Sequence, residues 1–236
     1  MNPKRALRAI ADLVLPRACV VCGAGLMPSE DTICINCLGD LPLTHFENRS
    51  RNPMADRLNA LIDGDPERYA YAAALFFYDD LSGYGNITRQ LKYRRDFACG
   101  KHFARMLGQR LAASPLYADV DAVVPVPLHW TRKWKRGYNQ AEIIAREVAA
   151  ALGTSCSTGI LRRRRRTGTQ TLLSGEQKAK NVAGAFRAGY AGPLRHILLV
   201  DDVFTTGATT VECFKALRTV YGPQLRISVA TLAVVE

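Results

Sequence analysis

The feature that most constrains the fold is the apolar run Ile197–Val200, which is followed at once by two adjacent carboxylates and then by the small, hydroxyl-rich turn Thr205–Thr209. An uninterrupted apolar run of this kind is typical of a strand that is buried on both faces of a parallel sheet. The residues that follow such a strand leave the carboxyl edge of the sheet, where α/β proteins bind their ligands. The segment therefore predicts an α/β fold with a ligand site after Val200.

The side chains of this segment suit a ribose phosphate. Two adjacent carboxylates can accept hydrogen bonds from a pair of vicinal hydroxyl groups. The threonine-rich turn leads into a helix N-terminus, whose free N–H groups and dipole attract phosphate, and its glycine lets the backbone curl around the anion. The alternative is an ordinary strand, turn and helix with a polar turn. The predicted binding residues are Asp201, Asp202, Thr205, Thr206, Gly207, Ala208 and Thr209.

Strand and helix patterns alternate from residue 70 onward, which predicts a mostly parallel sheet with crossover helices. Apolar runs predict strands within Ala70–Tyr78, Ala122–Val124 and Leu225–Val235. The spacing of four residues between Phe103, Leu107 and Leu111 predicts that they lie on one face of a helix. Two further helices are predicted, one opened by a capping box at Asn139 and Glu142 and ended by Gly153, the other carrying Val211, Phe214, Leu217 and Tyr221 before Gly222.

Two Cys-x2-Cys pairs, Cys19 with Cys22 and Cys34 with Cys37, predict a metal site in residues 1–45. Four thiolates can surround Zn²⁺ tetrahedrally and leave no open position, so the predicted role is structural. Residues 1–45 carry little periodic apolar pattern, and metal binding would supply the stability that a small core lacks. Buried or redox-active cysteines are the alternative. A short helix is predicted at Pro3–Leu15, a linker at 46–69 with a helix from Met54 to Ile62, and a main domain at 70–236.

The net charge of +11 favours anionic partners: nucleic acid, phosphorylated metabolites or a membrane surface. Basic residues gather in three clusters, and Trp130 and Trp134 lie within the second. Three interpretations stay open for that second cluster. It could bind pyrophosphate, it could bind nucleic acid with base stacking, or it could be a solvated helix face with the tryptophans packed beneath it. The candidate phosphate or nucleic-acid residues are Lys92, Arg94 and Arg95; Arg132, Lys133, Lys135 and Arg136; and Arg162, Arg163 and Arg164.

The expected compartment is the cytoplasm. Lys4, Arg5 and Arg8 precede a short apolar patch near the N-terminus, but no small-residue cleavage site follows it. The basic balance leaves association with the inner face of the membrane open.

Ile197–Thr209 resembles the signature by which type I phosphoribosyltransferases bind 5-phosphoribosyl-1-pyrophosphate (PRPP). Leu91–Asp96, Val124–His129, Arg136–Gln140 and Thr169–Phe186 resemble, in this order, the motifs of the ComF family (ComFC/GntX-like proteins). An N-terminal four-cysteine zinc module belongs to the same pattern. That family is associated with natural competence, in which incoming single-stranded DNA is handled for transformation.

The resemblance implies a type I phosphoribosyltransferase fold with a small zinc-binding module, PRPP bound with Mg²⁺, and single-stranded DNA as a partner. It also implies a pyrophosphate loop at Val126, Pro127, Leu128 and His129, and contact with a competence helicase or other DNA-processing proteins. An active phosphoribosyltransferase of unknown acceptor and a PRPP-sensing regulator without catalysis are the alternatives. Oxopurine salvage enzymes of this fold carry an aspartate where Thr205 stands, so that substrate class is disfavoured.

Overall fold

A computed structural model describes residues 16–62, 71–79, 81–129, 134, 136–164 and 184–235 of the chain. The predicted helix Pro3–Leu15 lies outside the described residues, as does most of the Thr169–Phe186 motif. None of the described helices is long and apolar enough to cross a membrane.

A five-stranded, wholly parallel sheet forms the centre of the molecule. Its strands are β1 (Ala72–Phe77), β2 (Ala122–Pro125), β3 (Ser155–Cys156), β6 (His196–Phe204) and β7 (Arg226–Val234), in the order β1-β7-β6-β2-β3. A separate antiparallel pair, β4 (Leu161–Arg163) with β5 (Phe186–Ala188), was not predicted from the sequence. The predicted fold class, a mostly parallel sheet flanked by helices, is confirmed.

The described helices are α1 (Ile35–Gly39), α2 (Pro53–Leu61), α3 (Gly85–Arg89), α4 (Phe97–Ala112), α5 (Gln140–Leu152) and α6 (Ala208–Tyr221), with 3₁₀ turns at Phe46–Asn48 and Pro115–Tyr117. The sequence predicts α2, α4, α5 and α6, whereas α1 and α3 were not predicted. Phe103, Leu107 and Leu111 of α4 are buried, as their spacing predicts. Asn139 caps α5 by accepting a hydrogen bond from the Ala141 N–H, and Gly153 ends the helix with a left-handed φ of 67°.

Strand β6 is longer than the apolar run predicts. The expected end at Val200 is wrong, because β6 continues through both aspartates to Phe204 and pairs with β7 as far as Val234. The neighbouring strand β2, in contrast, ends with Pro125 opposite Val200. Asp201 and Asp202 therefore lie on a strand that is paired on one side and has lost its neighbour on the other.

The N-terminal segment joins the same core as the sheet. Residues 42–44 run antiparallel to β1, where the Phe77 N–H donates to the Pro42 carbonyl and the Thr44 N–H donates to that of Leu75. Helix α2 lies in the predicted linker and buries Met54, Ala55 and Leu58 against this core. The boundaries at residues 45 and 69 stay predictions, although residues on both sides of the first one contribute to one hydrophobic cluster.

A buried polar cluster holds the opposite, amino edge of the sheet. His196 Nε2 lies 2.8 Å from Ser228 Oγ, and His196 Nδ1 lies 2.9 Å from Asp119 Oδ1. The serine is fully buried at 0% exposure, so no substrate could reach its hydroxyl. Burial lowers the pKa of His196 to about 4, which keeps the ring neutral. His196 is therefore a structural histidine.

Candidate ligand cleft and metal site

A cleft of about 350 Å³ opens at the carboxyl edge of the sheet, where β2 and β6 end. Its walls come from the two loops that follow these strands and from the N-termini of α5 and α6. All seven predicted ribose-phosphate residues line it, and so do Val126, Pro127 and Leu128 of the predicted pyrophosphate loop. His129 is buried and is not part of the lining.

The two carboxylates in the cleft are electrostatically coupled. The backbone N–H of Asp202 donates to Asp201 Oδ1 at 2.8 Å, and Lys92 Nζ lies 3.0 Å from Asp202 Oδ2. Burial, together with the charge of Asp202, raises the pKa of Asp201 to about 7, against the opposing influence of Lys92 and Arg163. Asp201 is thus poised between its neutral and charged forms near neutral pH.

Lys92, a predicted phosphate or nucleic-acid residue, belongs to the cleft. Burial alone would lower the pKa of its ammonium group, but the charges of Asp202 and Asp201 outweigh burial and raise that pKa. The lysine therefore stays charged and compensates Asp202. Lys92 lies on a single π-helical turn, Gln90–Arg94, of a kind that is rare in proteins and frequent at functional sites.

The turn into α6 depends on Gly207. This residue caps the helix with φ +78°, and a Cβ atom there would lie 2.9 Å from Leu61 Cδ1 and 3.0 Å from Phe204 Cζ. Glycine is required for both the backbone angle and the space. It also offers no side-chain acceptor to the first N–H groups of α6, which leaves that helix end suited to an anion.

Arg57 of α2 fastens this turn from outside. Its Nη1 donates to the Thr205 carbonyl at 2.9 Å and to the Val235 carbonyl at 3.1 Å, so one guanidinium joins the turn to the end of β7. This residue was not predicted from the sequence. No local pattern could reveal it, because the contact joins residues 148 positions apart.

Asn139, which was predicted to cap a helix, and Gln140 both belong to the Arg136–Gln140 motif, and both line the cleft. Asn139 Nδ2 donates to the Val126 carbonyl at 3.0 Å, which fixes the loop after β2 against α5. Gln140 is 2% exposed, and its Nε2 has no hydrogen-bond partner among the described residues. A buried donor of this kind is costly unless a ligand accepts from it.

The predicted basic residues divide between the cleft and the outer surface. Lys92, Arg136 and Arg163 line the cleft, whereas Arg94, Arg95, Arg162 and Arg164 are exposed. Trp130, Arg132, Lys133 and Lys135 lie outside the described residues. Trp134 is 87% exposed, so the alternative in which the tryptophans pack beneath a solvated helix is wrong for this residue.

Two sequence motifs distant in the chain meet beside the cleft. The Tyr138 hydroxyl donates to the Leu91 carbonyl, and the rings of Phe97 and Tyr138 pack edge to face with their centroids 4.8 Å apart. The Arg136 guanidinium stacks on the Tyr93 ring at 5.6 Å. The segment that carries Lys92 is thereby fixed to the segment that opens α5.

The four cysteines of the N-terminal segment converge as predicted. The sulfurs of Cys19, Cys22, Cys34 and Cys37 all lie within 4.8 Å of one another, and those of Cys22 and Cys34 are 3.8 Å apart. Thiolates arranged tetrahedrally about 2.3 Å from a zinc-sized ion would be about 3.8 Å apart. The cluster can therefore hold a metal ion. The Tyr84 hydroxyl attaches it to the main sheet domain by donating to the Cys37 carbonyl at 3.0 Å.

The remaining cysteines behave as expected of core residues. Cys99 and Cys213 are fully buried, and Cys156 is half-buried. Burial raises the pKa of the Cys99 thiol to about 12, so the thiol is unreactive at neutral pH.

The five-stranded parallel sheet, the cleft at its carboxyl edge and the four-cysteine cluster define an α/β protein with a phosphoribosyltransferase-like fold and a metal-binding module. Several curated proteins are similar in sequence. Competence protein F of Haemophilus influenzae is 32% identical over 138 residues, which are 56% of this chain and 60% of that protein. The DNA utilization protein YhgH of Salmonella typhimurium is 33% identical over 134 residues, or 56% of this chain and 59% of that protein.

A longer match joins the chain to YhgH of Escherichia coli, with 28% identity over 207 residues, or 84% of this chain and 83% of that protein. The matches to the first two relatives thus span only about 60% of their lengths. No protein-family model matches the chain. The solved structure of TT1426 from Thermus thermophilus covers 57% of this chain and 83% of its own at 16% identity, with a TM-score of 0.33, a likeness too slight to bear on the fold. These homologues and the four-cysteine cluster support the resemblance to the ComF family that the sequence motifs indicate.

Replacing Asp201 with asparagine should stabilise the protein in a pH-dependent way. Because the pKa of Asp201 in the folded protein is about 7, above its value in the unfolded chain, wild-type stability falls as the pH rises from that unfolded value to about 7 and stays reduced above it. The Asp201→Asn variant lacks this loss, so its Tm should exceed that of the wild type by about 3 °C at pH 8 and by much less at pH 5. Thermal unfolding at both pH values measures this. The exposed Asp56→Asn serves as control, and an equal gain at pH 5 and pH 8 contradicts the prediction.

Proposed function

We propose that the cleft binds PRPP together with Mg²⁺. The observation that carries this proposal is the meeting of two adjacent carboxylates, on the one-sided end of β6, with the glycine-capped N-terminus of α6 in a single cleft. Asp201 and Asp202 accept hydrogen bonds from the ribose hydroxyls. The Thr205–Thr209 turn and the first N–H groups of α6 bind the 5-phosphate.

The pyrophosphate of this ligand faces the other wall of the cleft. That wall carries Val126–Leu128, the buried Gln140 amide and the N-terminus of α5, beside the cations Lys92 and Arg136. Asp201 and Asp202 would hold Mg²⁺ together with the ligand, and the ion would supply positive charge against the pyrophosphate. Lys92 compensates the charge of Asp202 through their ion pair.

Binding is the function that these residues support, and transfer chemistry is a second candidate. In a phosphoribosyltransferase, a nucleophile would displace pyrophosphate at C1, and the charge that develops on the ribose would be stabilised electrostatically. A regulator that senses PRPP would bind it and release nothing. Pyrophosphate release in the presence of candidate bases and amines separates the two.

Asp202→Asn should weaken PRPP binding at least tenfold, because a hydrogen bond to a charged group contributes about 1.5–3 kcal/mol. Calorimetric titration of wild type and variant with PRPP, in the presence and absence of Mg²⁺, measures the change. Asp56→Asn, which neutralises an exposed carboxylate that is not part of the cleft lining, should bind as the wild type does. A wild-type protein that takes up no PRPP with Mg²⁺ would overturn the proposal.

We also propose that the chain handles single-stranded DNA in the cytoplasm, as a competence protein working with a helicase or other DNA-processing proteins. Its relatives carry the names competence protein F and DNA utilization protein. The net charge of +11 and the exposed side chains of Arg94, Arg95, Arg162 and Arg164 supply the cations that a phosphate backbone needs.

Binding to a single-stranded oligonucleotide should be strongly salt-dependent. If three or four arginines each neutralise a phosphate, log affinity should fall with log salt with a slope of about −2 to −3. Fluorescence anisotropy with a labelled oligonucleotide between 50 and 300 mM salt, roughly the range over which counterion release is resolved, measures the slope. An affinity that is negligible at the lowest salt, or that ignores salt, contradicts the prediction.

We propose that the metal in the four-cysteine cluster is Zn²⁺ and that its role is structural. Four thiolates leave no open coordination position for catalysis, and the short segment around them has little core of its own.

Purified protein should contain about one zinc ion per chain, a figure that follows from the single four-thiolate cluster. Cys22→Ser should lose the metal and unfold at a lower temperature, because metal binding is coupled to folding of the segment. Elemental analysis and thermal unfolding measure both. Cys156→Ser, which removes a cysteine outside the cluster, should keep its zinc. Full metal content in Cys22→Ser would exclude the proposed ligand set.

A further inference from the structure

A second, smaller groove lies outside the cleft, between α3 and the π-helical turn. Its volume is about 240 Å³, and it is lined by Asn86, Arg89, Gln90, Tyr93 and Arg94. Two of these side chains are guanidinium groups, two are amides, one is an aromatic ring, and none is acidic. The proposed PRPP site does not use this groove, because none of its lining residues faces the cleft.

Tyr93 is the unusual member of the groove. Its side chain is 72% exposed, although a tyrosine ring commonly buries most of its apolar surface. The ring is nevertheless held in place, because Arg136 stacks on it at 5.6 Å and Tyr138 fastens the π-helical turn at the Leu91 carbonyl. A ring that is both exposed and fixed offers a flat surface at little entropic cost to a binding partner.

More exposed aromatic and cationic groups belong to the segments that carry Tyr93 and its partner Arg136. Phe97 is 41% exposed and packs on Tyr138, and Trp134, two residues before Arg136, is 87% exposed. Arg95 lies beside Gly137, with a guanidinium nitrogen 3.5 Å from where a Cβ atom would stand. Aromatic faces interleaved with arginines are the combination by which proteins bind single strands, because bases stack on the rings and phosphates pair with the cations.

We infer that the groove beside Tyr93 is a base-stacking subsite for single-stranded nucleic acid. One base stacks on the free face of the Tyr93 ring, Arg89 and Arg94 pair with the flanking phosphates, and the amides of Asn86 and Gln90 reach the edge of the base. The inference rests on the proposed DNA-handling function and assigns that function a location. Duplex DNA is excluded from the subsite because its bases are already stacked. An acidic protein would pair with the arginines but would have no base to stack on the Tyr93 ring.

The test removes the Tyr93 ring by substitution and, separately, the bases by using an oligonucleotide with abasic sites. Single-stranded oligonucleotides with and without an internal run of abasic sites are titrated against wild type, Tyr93→Ala and Tyr93→Phe. Tyr93→Ala should weaken binding to the intact oligonucleotide about 5- to 100-fold, since loss of one stacking contact has effects of this size. It should change binding to the abasic oligonucleotide little, and Tyr93→Phe, which keeps the ring, should bind both as the wild type does.

Matched variants control for fold and charge. Tyr190→Ala removes another exposed tyrosine, and Arg195→Ala removes an exposed arginine at the amino edge of the sheet. Arg94→Ala should weaken binding more than Arg195→Ala, although both lower the net charge equally. The same oligonucleotide made of RNA, tested in parallel, distinguishes RNA from DNA as the source of the strand.

Each outcome bears on one proposal. If the wild type binds no single strand at all, the DNA-handling function fails. Two results with a wild type that binds would overturn the stacking subsite and leave the DNA-handling function standing. In one, Tyr93→Ala weakens binding to the intact and the abasic oligonucleotide equally. In the other, Tyr93→Ala has the same effect on binding as Tyr190→Ala. Wild-type protein that binds duplex DNA as tightly as single-stranded DNA also overturns the subsite, because equal affinities indicate that charge alone accounts for binding.

Discussion

The pairing of β6 with β7 beyond the end of β2 is the constraint on which the cleft depends. Val200 is the last residue of β6 with a neighbour on both sides, and the strand then runs on to Phe204 with support from β7 alone. This one-sided stretch displays Asp201 and Asp202 where a ligand can approach from the open side. Arg57 completes it by holding the carbonyls of Thr205 and Val235, so the turn into α6 is fastened to the strand that supports it.

Burial of two carboxylates on adjacent residues of β6 has an electrostatic cost, because burial and the neighbouring charge both disfavour the charged form of Asp201. The raised pKa of Asp201 reflects this cost. Lys92 offsets part of it through its ion pair with Asp202. A neutral residue in place of Asp201 would suit the fold better, whereas Asp202 is needed as the partner of Lys92. Sites that hold like charges together in this way are more often functional than structural, because stability alone gives no reason to keep them.

Local patterns predicted the parts of this arrangement that are encoded locally. The apolar run, the turn chemistry after it, the capped start of α5 and the paired cysteines are each readable within about fifteen residues. The extension of β6 was missed because it comes from β7, not from the apolar pattern of β6 itself. Arg57 and the Lys92–Asp202 pair were missed because each joins segments far apart in the chain, and a segment interpreted as a linker supplied Arg57. The groove beside Tyr93 lies within residues 86–94, and it was missed because the π-helical turn that it borders was not predicted.

The basic side chains lie in two different environments, the cleft and the outer surface, and the net charge of the chain does not reveal this division. Lys92, Arg136 and Arg163 face two carboxylates in the cleft, which limits the cleft to ligands that bring their own dense negative charge or a metal. Arg94 and Arg95 lie outside, among exposed rings, where a polymer with spaced phosphates fits better. The π-helical turn carries Lys92 into the cleft and Tyr93 onto the outer face. A ligand that releases Lys92 from Asp202 therefore acts on the same turn that a bound strand would contact. If its two bound states differ in the position of that turn, each ligand must change the affinity of the other by the same factor.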